Sequence, residues 1–370
     1  MIEIPDAVRV AAECLTAHPA YVYDLRSLEE HVAAVRQALP GTELYYAVKA
    51  NPDPRLLAVL ARHVDGFEVS SGGELTHVRE LHPDAPLAFG GPGKTDAELA
   101  LASTVHRLHV ESPGELRRLL AAGTGPVDVL LRVNLDVPVA GAALAMGGGA
   151  TPFGMDDDGV RECLTLLAGQ HRVRLRGVHA HLASGLDAAA LLDLARAVVE
   201  YARGLGVREI NVGGGMAVSY TDPAERFAWK IFGAGLSDLR APDETLRVEP
   251  GRALTAYCGW YVTRVIDVKR VHGEAFAVVT GGTHHLRTPV TKGHDQPFAV
   301  LPTGAGPGVR DEPVTVVGQL CTPKDVFARR VVVPRLLPGD TVAFGMAGAY
   351  AYNISHHDFL MHPKPAFHYI

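Results

Sequence analysis

The sequence predicts an α/β protein: a parallel (β/α)8 TIM-type barrel followed by a C-terminal β-rich domain of sandwich-like or barrel-like form. Three observations carry this. Short apolar, β-branched runs alternate with stretches of helical period through the first two thirds of the chain. The alternation repeats eight times, the count that closes such a barrel. After about residue 255 the long helical stretches stop and short strand-like runs remain.

In chain order, PAYVYDL (19–25) is strand-like and either joins the β domain or leads into the barrel. The eight runs are ELYYAVK (43–49), GFEVSS (66–71), APLAFGG (85–91), HRLHVES (106–112), PVDVLLRVN (126–134), RLRGVHAHLAS (174–184), EINVGGG (209–215) and TLRVEPG (245–251). Helical stretches such as PRLLAVLARHV and AAALLDLARAVVEYARGLG lie between them. A doubly wound open sheet competes. The count of eight, and the gathering of unusual residues at strand ends, favour the barrel. This places the barrel at 26–254 and the β domain at 255–370, with residues 1–25 contributing to the latter. The Gly/Ala-rich stretch 136–151 reads as a mobile loop.

The chain has 370 residues, 47% apolar and 21% charged, enough to bury a large core and too apolar for general disorder. Lys plus Arg is 35 against 41 Asp plus Glu, so a general nucleic-acid binder is not expected. No apolar run approaches the roughly 20 residues of a membrane span. The N-terminus lacks a basic region followed by an apolar block, so no signal peptide is expected. Cys14, Cys163, Cys258 and Cys321 are scattered and form no CxxC pair. That suits a reducing cytoplasm and argues against a zinc site or a disulfide framework.

Function in a (β/α)8 barrel collects at the C-terminal ends of the strands. Those ends carry Lys49, Glu68, Ser71, Arg132, Asn134, His181, Ser184, Gly213, Gly214, Gly215, Glu249 and Arg252. A desolvated lysine at position 49 is suited to attack a carbonyl; a snorkelling strand-end lysine is the plainer reading. The Gly213–Gly215 run and EPGR (249–252) follow the seventh and eighth strands, the usual phosphate site of this fold. A glycine run alone equally marks a tight turn. Glu249 needs a partner: Arg252, or the protonated ring nitrogen of a pyridine cofactor. His181 is either a satisfied core imidazole or a ring stacked on a flat cofactor. Ser184 is a phosphate donor candidate. A phosphate, a carbonyl and a pyridine nitrogen at one mouth together imply pyridoxal 5′-phosphate.

The chain resembles the alanine-racemase-like (type III) pyridoxal-phosphate decarboxylases, which include diaminopimelate, ornithine and arginine decarboxylases. The runs that match are YAVKANPD (46–53), GFEVSSGGEL (66–75), GPGKTDAEL (91–99), HVESPGEL (109–116), HAHLASG (179–185), NVGGG (211–215), EPGR (249–252), GQLCTPKDVF (318–327) and AGAY (347–350). The resemblance implies a PLP-binding barrel plus a β domain, and a head-to-tail homodimer with shared active sites. It implies Lys49 as the Schiff-base lysine, Glu249 on the ring nitrogen and His181 stacked on the ring. Ser184, Gly213 to Gly215, Gly251, Arg252 and Tyr350 would hold the cofactor's phosphate end. Cys321 would reach the neighbouring subunit's site and reprotonate the carbanion. Asp325 in the same loop reads as structural.

The departures concern substrate. In the family's diamino-acid enzymes the residue after the cysteine is acidic and holds a distal ammonium; here it is Thr322. A neutral hydroxyl cannot neutralise a buried ammonium. The barrel loop TPFGMD (151–156) also lacks the lysine that diaminopimelate enzymes usually carry before FG. GGTHHLRTPVTKGHDQPF (281–298) carries His284, His285, Arg287, Lys292, His294 and Asp295, and SHHDFLMHPKP (355–365) adds His356, His357 and His362. These read as a cationic set suited to a polycarboxylate, with a histidine-rich metal site or a solvated surface as alternatives. GGTHHLR and SHHDFL resemble the siderophore-pathway branch, of the staphyloferrin B, achromobactin or vibrioferrin type, which decarboxylates an amino acid joined to citrate. The expected substrate is therefore a small citrate-conjugated amino acid, bound by Arg287, His284, His285 and Thr322, with no resident metal. A diaminopimelate decarboxylase is the alternative. A racemase is disfavoured because racemases of this fold pair the ring nitrogen with Arg. Retention of Lys49 and Cys321 disfavours a non-catalytic cofactor carrier.

Overall fold

A computed structural model of the chain describes residues 1–123, 125–138, 142–287 and 294–370. It divides into two compact units. One comprises His31–Ala217 and Phe227–Ala253; the other comprises Met1–Glu30, Val218–Arg226 and Leu254–Ile370.

The first unit is a closed barrel. After β1 (Ala20–Tyr23), which lies in the other unit, its strands are β2 (Thr42–Ala47), β3 (Gly66–Val69), β4 (Leu87–Phe89), β5 (Arg107–Val110) and β6 (Val127–Arg132). A short β7 (Leu144–Ala145) precedes β8 (Val173–His179), and a short β9 (Ala183–Ser184) precedes β10 (Glu209–Asn211) and β11 (Thr245–Val248). The order β2-β3-β4-β5-β6-β8-β10-β11 closes on itself, with every pair parallel. Each of the eight apolar runs contains one of these strands, except that β2 and β8 begin one residue before theirs, at Thr42 and Val173. They were readable because strands buried on both faces are nearly continuous apolar segments.

The returns from strand to helix use one device. α1 (Asp6–Cys14) and α2 (Leu25–Ala38) come first in the chain. α3 (Pro54–Leu60), α4 (Gly72–Leu81), α5 (Asp96–Leu99) and α6 (Pro113–Ala121) are capped by Asp53, Ser71, Thr95 and Ser112, whose side chains accept backbone N–H bonds of the first turn. Proline stands at the start of α3 and α6. Asp156 and Asp187 cap α7 (Asp157–Leu167) and α8 (Ala188–Gly204) in the same way. Except at α7, these caps start the helix three to seven residues past the preceding strand.

The stretch expected to be a mobile loop is partly ordered. β7 pairs antiparallel with β9, and the Met146 and Gly147 N–H groups both donate to the Leu182 carbonyl. Asn134 holds the returning chain by accepting from Gly148 N–H and donating to the Gly149 carbonyl. The reason is a short two-stranded ribbon, which satisfies backbone groups that composition alone does not reveal. Residues 139–141 lie outside the described residues.

In the second unit, β12 (Gly259–Val271), β13 (Glu274–Val279), β14 (Phe298–Leu301), β15 (Glu312–Val317), β16 (Val326–Val333) and β17 (Thr341–Phe344) pair in the order β14-β17-β12-β13-β15-β16. β1 pairs antiparallel with β12 and parallel with β18 (Ala366–Tyr369), so the N-terminal run joins this sheet. α1 packs Val8 and Ala12 against Val22, Trp260 and Val262. No helix among the described residues is long and apolar enough to cross a membrane.

Candidate active site

Lys49 sits in the tight turn Val48–Ala50 directly after β2. Its Nζ lies 2.6 Å from Glu68 Oε2, and the Ser70 hydroxyl donates to Glu68 Oε1 at 2.8 Å. The lysine side chain is 43% exposed, whereas Glu68 is 5% exposed. Lys49 is therefore an ion-paired ammonium at the barrel mouth, not an amine walled in by apolar side chains as the sequence suggests. The cause is Glu68, which stands on the neighbouring strand in register with Ala47.

Glu249 follows β11 and is buried. Asn211 Nδ2 donates to its Oε1 at 2.6 Å, and His179 Nε2 lies 3.2 Å from its Oε2. His109 Nε2 is 3.8 Å from Oε1. The His109 and His179 rings stack, with centroids 4.1 Å apart and planes 13° from parallel. These three residues could be read as metal ligands by proximity. Stacked parallel rings direct their in-plane lone pairs side by side, however, and cannot both aim them at one ion. Uncharged hydrogen bonding is the better description.

His181 lies just past β8. Burial, with Lys49 and Arg132 nearby, pushes its imidazole down to about 3, so it is neutral. Its Nδ1 accepts from the Gly214 N–H at 3.1 Å, which leaves the proton on Nε2, 3.5 Å from the Ser184 hydroxyl. The ring is thus fixed in plane by the glycine run.

Gly213, Gly214 and Gly215 are required by close backbone approach. A Cβ on each would come within 2.6 Å of the Ala180, Glu249 and Ala183 carbonyl oxygens respectively. Gly213 and Gly215 also have φ of +71° and +103°. The Gly213 N–H donates to Asn211 Oδ1 and the Gly214 N–H to His181. Two of the three N–H groups thus hold side chains of the site. Gly251 lets the EPGR loop rest on Ala50 and Ala47, and the Ala47 N–H donates to the Pro250 carbonyl. That contact brings the loop carrying Glu249, Gly251 and Arg252 against the turn carrying Lys49.

Sequence reasoning passed over Asn211, His109 and His179, and noted Glu68 without giving it a role. Arg132 pairs with Glu111 at 2.7 Å, both buried, and Glu111 also accepts from the Gly91 N–H. At the opposite strand ends, fully buried Arg247 pairs with Glu209 at 2.8 Å and with Glu43, and lies 4.5 Å from the Tyr45 ring centre. A polar residue inside an apolar strand run was the available signal for this buried ionic floor.

The remaining predicted residues lie in the second unit. Cys321 is exposed and Thr322 half-buried, in a turn held by Asp325, whose carboxylate accepts from the Thr283 and Leu320 N–H groups. Asp325 is thus a structural residue. Tyr350 follows the last β12-paired segment with φ of +49°, a conformation that costs a non-glycine residue about 1 kcal/mol or more. Arg287 is exposed, and its N–H donates to Ser355 Oγ. His284 and His285 are buried, and burial lowers them to about 4 and about 3. They are neutral at pH 7, which corrects the expectation of a cationic pair. His285 is anchored instead, its Nδ1 3.2 Å from the Tyr261 hydroxyl and its carbonyl accepting from Tyr21. His362 lies with its ring centre 5.3 Å from that of His284. Lys292 is outside the described residues. All four cysteines are unpaired.

A closed parallel barrel with an amine at the end of its first strand and a hydrogen-bonded carboxylate after its last defines the barrel class of pyridoxal phosphate enzymes. Comparison with known proteins narrows the class. The model for the pyridoxal-binding domain of pyridoxal-dependent decarboxylases matches residues 25–256. The chain is 39% identical to the 2-[(L-alanin-3-ylcarbamoyl)methyl]-2-hydroxybutanedioate decarboxylase of Staphylococcus aureus, covering 96% of this chain and 95% of that protein. It is 31% identical to the L-glutamyl-[BtrI acyl-carrier protein] decarboxylase of Niallia circulans, covering 94% and 87%. The crystal structure of diaminopimelate decarboxylase from Helicobacter pylori complexed with L-lysine matches with TM-score 0.87 and 25% identity, over 98% of this chain and 94% of that one. The chain belongs to the pyridoxal-dependent decarboxylase family.

Proposed function

We propose that the protein decarboxylates the amino-acid moiety of a citrate-conjugated substrate resembling citryl-diaminopropionate, in the assembly of a carboxylate siderophore. Thr322 carries the substrate reading. It offers a neutral hydroxyl beside Cys321 where a free diamino acid would need a carboxylate. The Staphylococcus aureus relative supports it, because its name describes an alanine unit joined through an amide to a hydroxybutanedioate. Such a substrate has no free distal ammonium and carries extra carboxylates.

The barrel end fits pyridoxal 5′-phosphate. It offers an amine, a flat neutral imidazole, a glycine run and a buried carboxylate whose two hydrogen-bond donors are uncharged. Lys49, His181, Ser184, Gly213 to Gly215, Glu249, Gly251 and Arg252 would hold it. When bound, the cofactor supplies an aldehyde for an amine and a ring that accepts the electron pair left by departing CO2.

The chain's own groups do the rest. Glu68 takes the proton of the Lys49 ammonium and returns it. Glu249 would accept a hydrogen bond from the ring nitrogen and favour its protonated form. His181 presents a face that its neutral state keeps free of repulsion. The Cys321 thiol delivers a proton to the substrate carbon. Arg287 binds a distal carboxylate. The active form in this reading is a homodimer in which Cys321 serves the neighbouring subunit's site.

The experiment is CO2 release from cofactor-loaded protein, comparing citryl-diaminopropionate with free meso-diaminopimelate, ornithine and lysine. Preference for the conjugate is expected. Preference for a free diamino acid overturns the substrate reading and leaves a diaminopimelate-type decarboxylase.

A further inference from the structure

His109 and His179 have no part in the chemistry described above, yet they are among the most buried polar side chains of the barrel, at 1% and 4% exposure. They come from separate strands, β5 and β8. His179 stands in register between Arg132 on β6 and Asn211 on β10. An imidazole beside a buried carboxylate would ordinarily charge and form an ion pair. Here burial drives both rings well below the usual histidine range. The cations around them add to this: Arg132, Lys49 and Lys94 act on His179, and Arg247 and Lys94 act on His109. Lys94 Nζ also donates to the His109 carbonyl at 2.7 Å. Glu249 is the one group in these sets that favours charging, and it acts on His109.

A neutral imidazole has a single N–H. With His179 Nε2 at 3.2 Å from Glu249 Oε2, that proton lies on Nε2, and the buried Nδ1 has no partner among the described residues. Glu249 therefore receives two uncharged donors, the Asn211 amide and the His179 ring. A lysine or arginine in either place would orient the carboxylate and also cancel its charge. Uncharged donors orient it and leave the charge available.

We infer that His179, covered by the stacked ring of His109, is a positioning residue that aligns Glu249 without neutralising it and so keeps the cofactor's ring nitrogen protonated. The inference rests on the reading that Glu249 faces that nitrogen. It assigns the second histidine of the pair a role as well: an uncharged cover that denies His179 space for water or a counter-ion.

The test loads the protein with pyridoxal phosphate labelled with 15N in the ring and reads the nitrogen's chemical shift from pH 6 to 9. Cofactor affinity is measured in parallel by titrating the cofactor-free protein. Wild type and His179→Gln, whose amide N–H can replace Nε2–H, are expected to show a protonated nitrogen throughout. His179→Leu is expected to show deprotonation within this range and about tenfold weaker cofactor binding, the loss of one hydrogen bond to a charged group. A protonated nitrogen in His179→Leu, with a deprotonated one in Glu249→Gln, overturns the inference and leaves the Glu249 reading standing. A protonated nitrogen in Glu249→Gln overturns that reading itself. Histidine-ring NMR of the wild-type protein tests the same point without a substitution. The inference requires the His179 ring to stay neutral from pH 6 to 9, and an imidazolium there overturns it.

Discussion

Glu68 Oε2 stands 2.6 Å from Lys49 Nζ, and its other oxygen accepts from the Ser70 hydroxyl. The carboxylate is buried while the lysine is half exposed, so Glu68 is the fixed member of the pair and Lys49 the movable one. An ammonium must shed its proton before it attacks a carbonyl, and the Glu68 carboxylate lies within hydrogen-bond reach to take it. Glu68→Gln removes that acceptor and keeps the shape. Turnover is expected to fall about 100-fold, the lower range of general-base effects. Added formate should restore part of it, and a failure of formate to do so would point to a purely structural Glu68. Lys49→Arg keeps an ion pair with Glu68, so its melting temperature should match wild type while CO2 release disappears.

Lys94 and Glu115 form a second pair, 3.0 Å apart and 1% and 2% exposed. Lys94 also donates to the Gly91 and His109 carbonyls, which ties the segment after β4 to β5. Removing one partner of such a pair strands the other charge, at a cost of about 3–5 kcal/mol. Lys94→Met should lower the urea midpoint accordingly. Glu115→Leu in the same chain should recover part of the loss, because the two carbonyls remain without their donor. Full additivity of the two substitutions would show that the charges do not interact.

The buried histidines set an acid limit. His181 and His285 are lowered to about 3 and His284 to about 4, against 6.5 in an unfolded chain. The folded state binds fewer protons than the unfolded state between those values. Stability is therefore complete above about pH 6.5 and falls as pH drops toward 4, by up to about 1.4 kcal/mol per pH unit for each histidine. Acid unfolding followed by circular dichroism should begin below pH 6.5, above the carboxylate range. His285→Phe should shift the acid midpoint down; an unchanged midpoint would mean that His285 is already charged in the fold.

Which features the sequence exposed follows from the physics of each. The barrel strands announce themselves because both faces are buried, and Lys49 and Glu249 stand out because charged residues interrupt such runs at their ends. His109 and His179 were hidden inside HRLHVES and RLRGVHAHLAS, where a histidine looks like any half-buried strand residue. Their stacking joins residues 70 positions apart, and Glu249 lies another 70 positions on from His179, separations no local pattern reports. The neutral state of His284 and His285 was likewise invisible, since burial and not residue type decides whether an imidazole is charged.

Position 322 offers the sharpest substitution. Thr322 is half-buried, beside exposed Cys321, and its Oγ1 accepts from the Lys324 N–H within the turn. Thr322→Asp keeps an oxygen acceptor for that N–H, so the turn should persist. It places a negative charge where the citryl conjugate brings carboxylates and where a free diamino acid brings an ammonium. Like charges should raise KM for the conjugate at least tenfold, and opposite charges should raise kcat/KM for ornithine or meso-diaminopimelate by a similar factor. Measuring both substrates on one preparation removes differences in folding or cofactor loading, which scale the two rates equally. A parallel loss on both would show that position 322 supports the Cys321 turn without reading the substrate. A shift in the ratio would assign it to substrate choice.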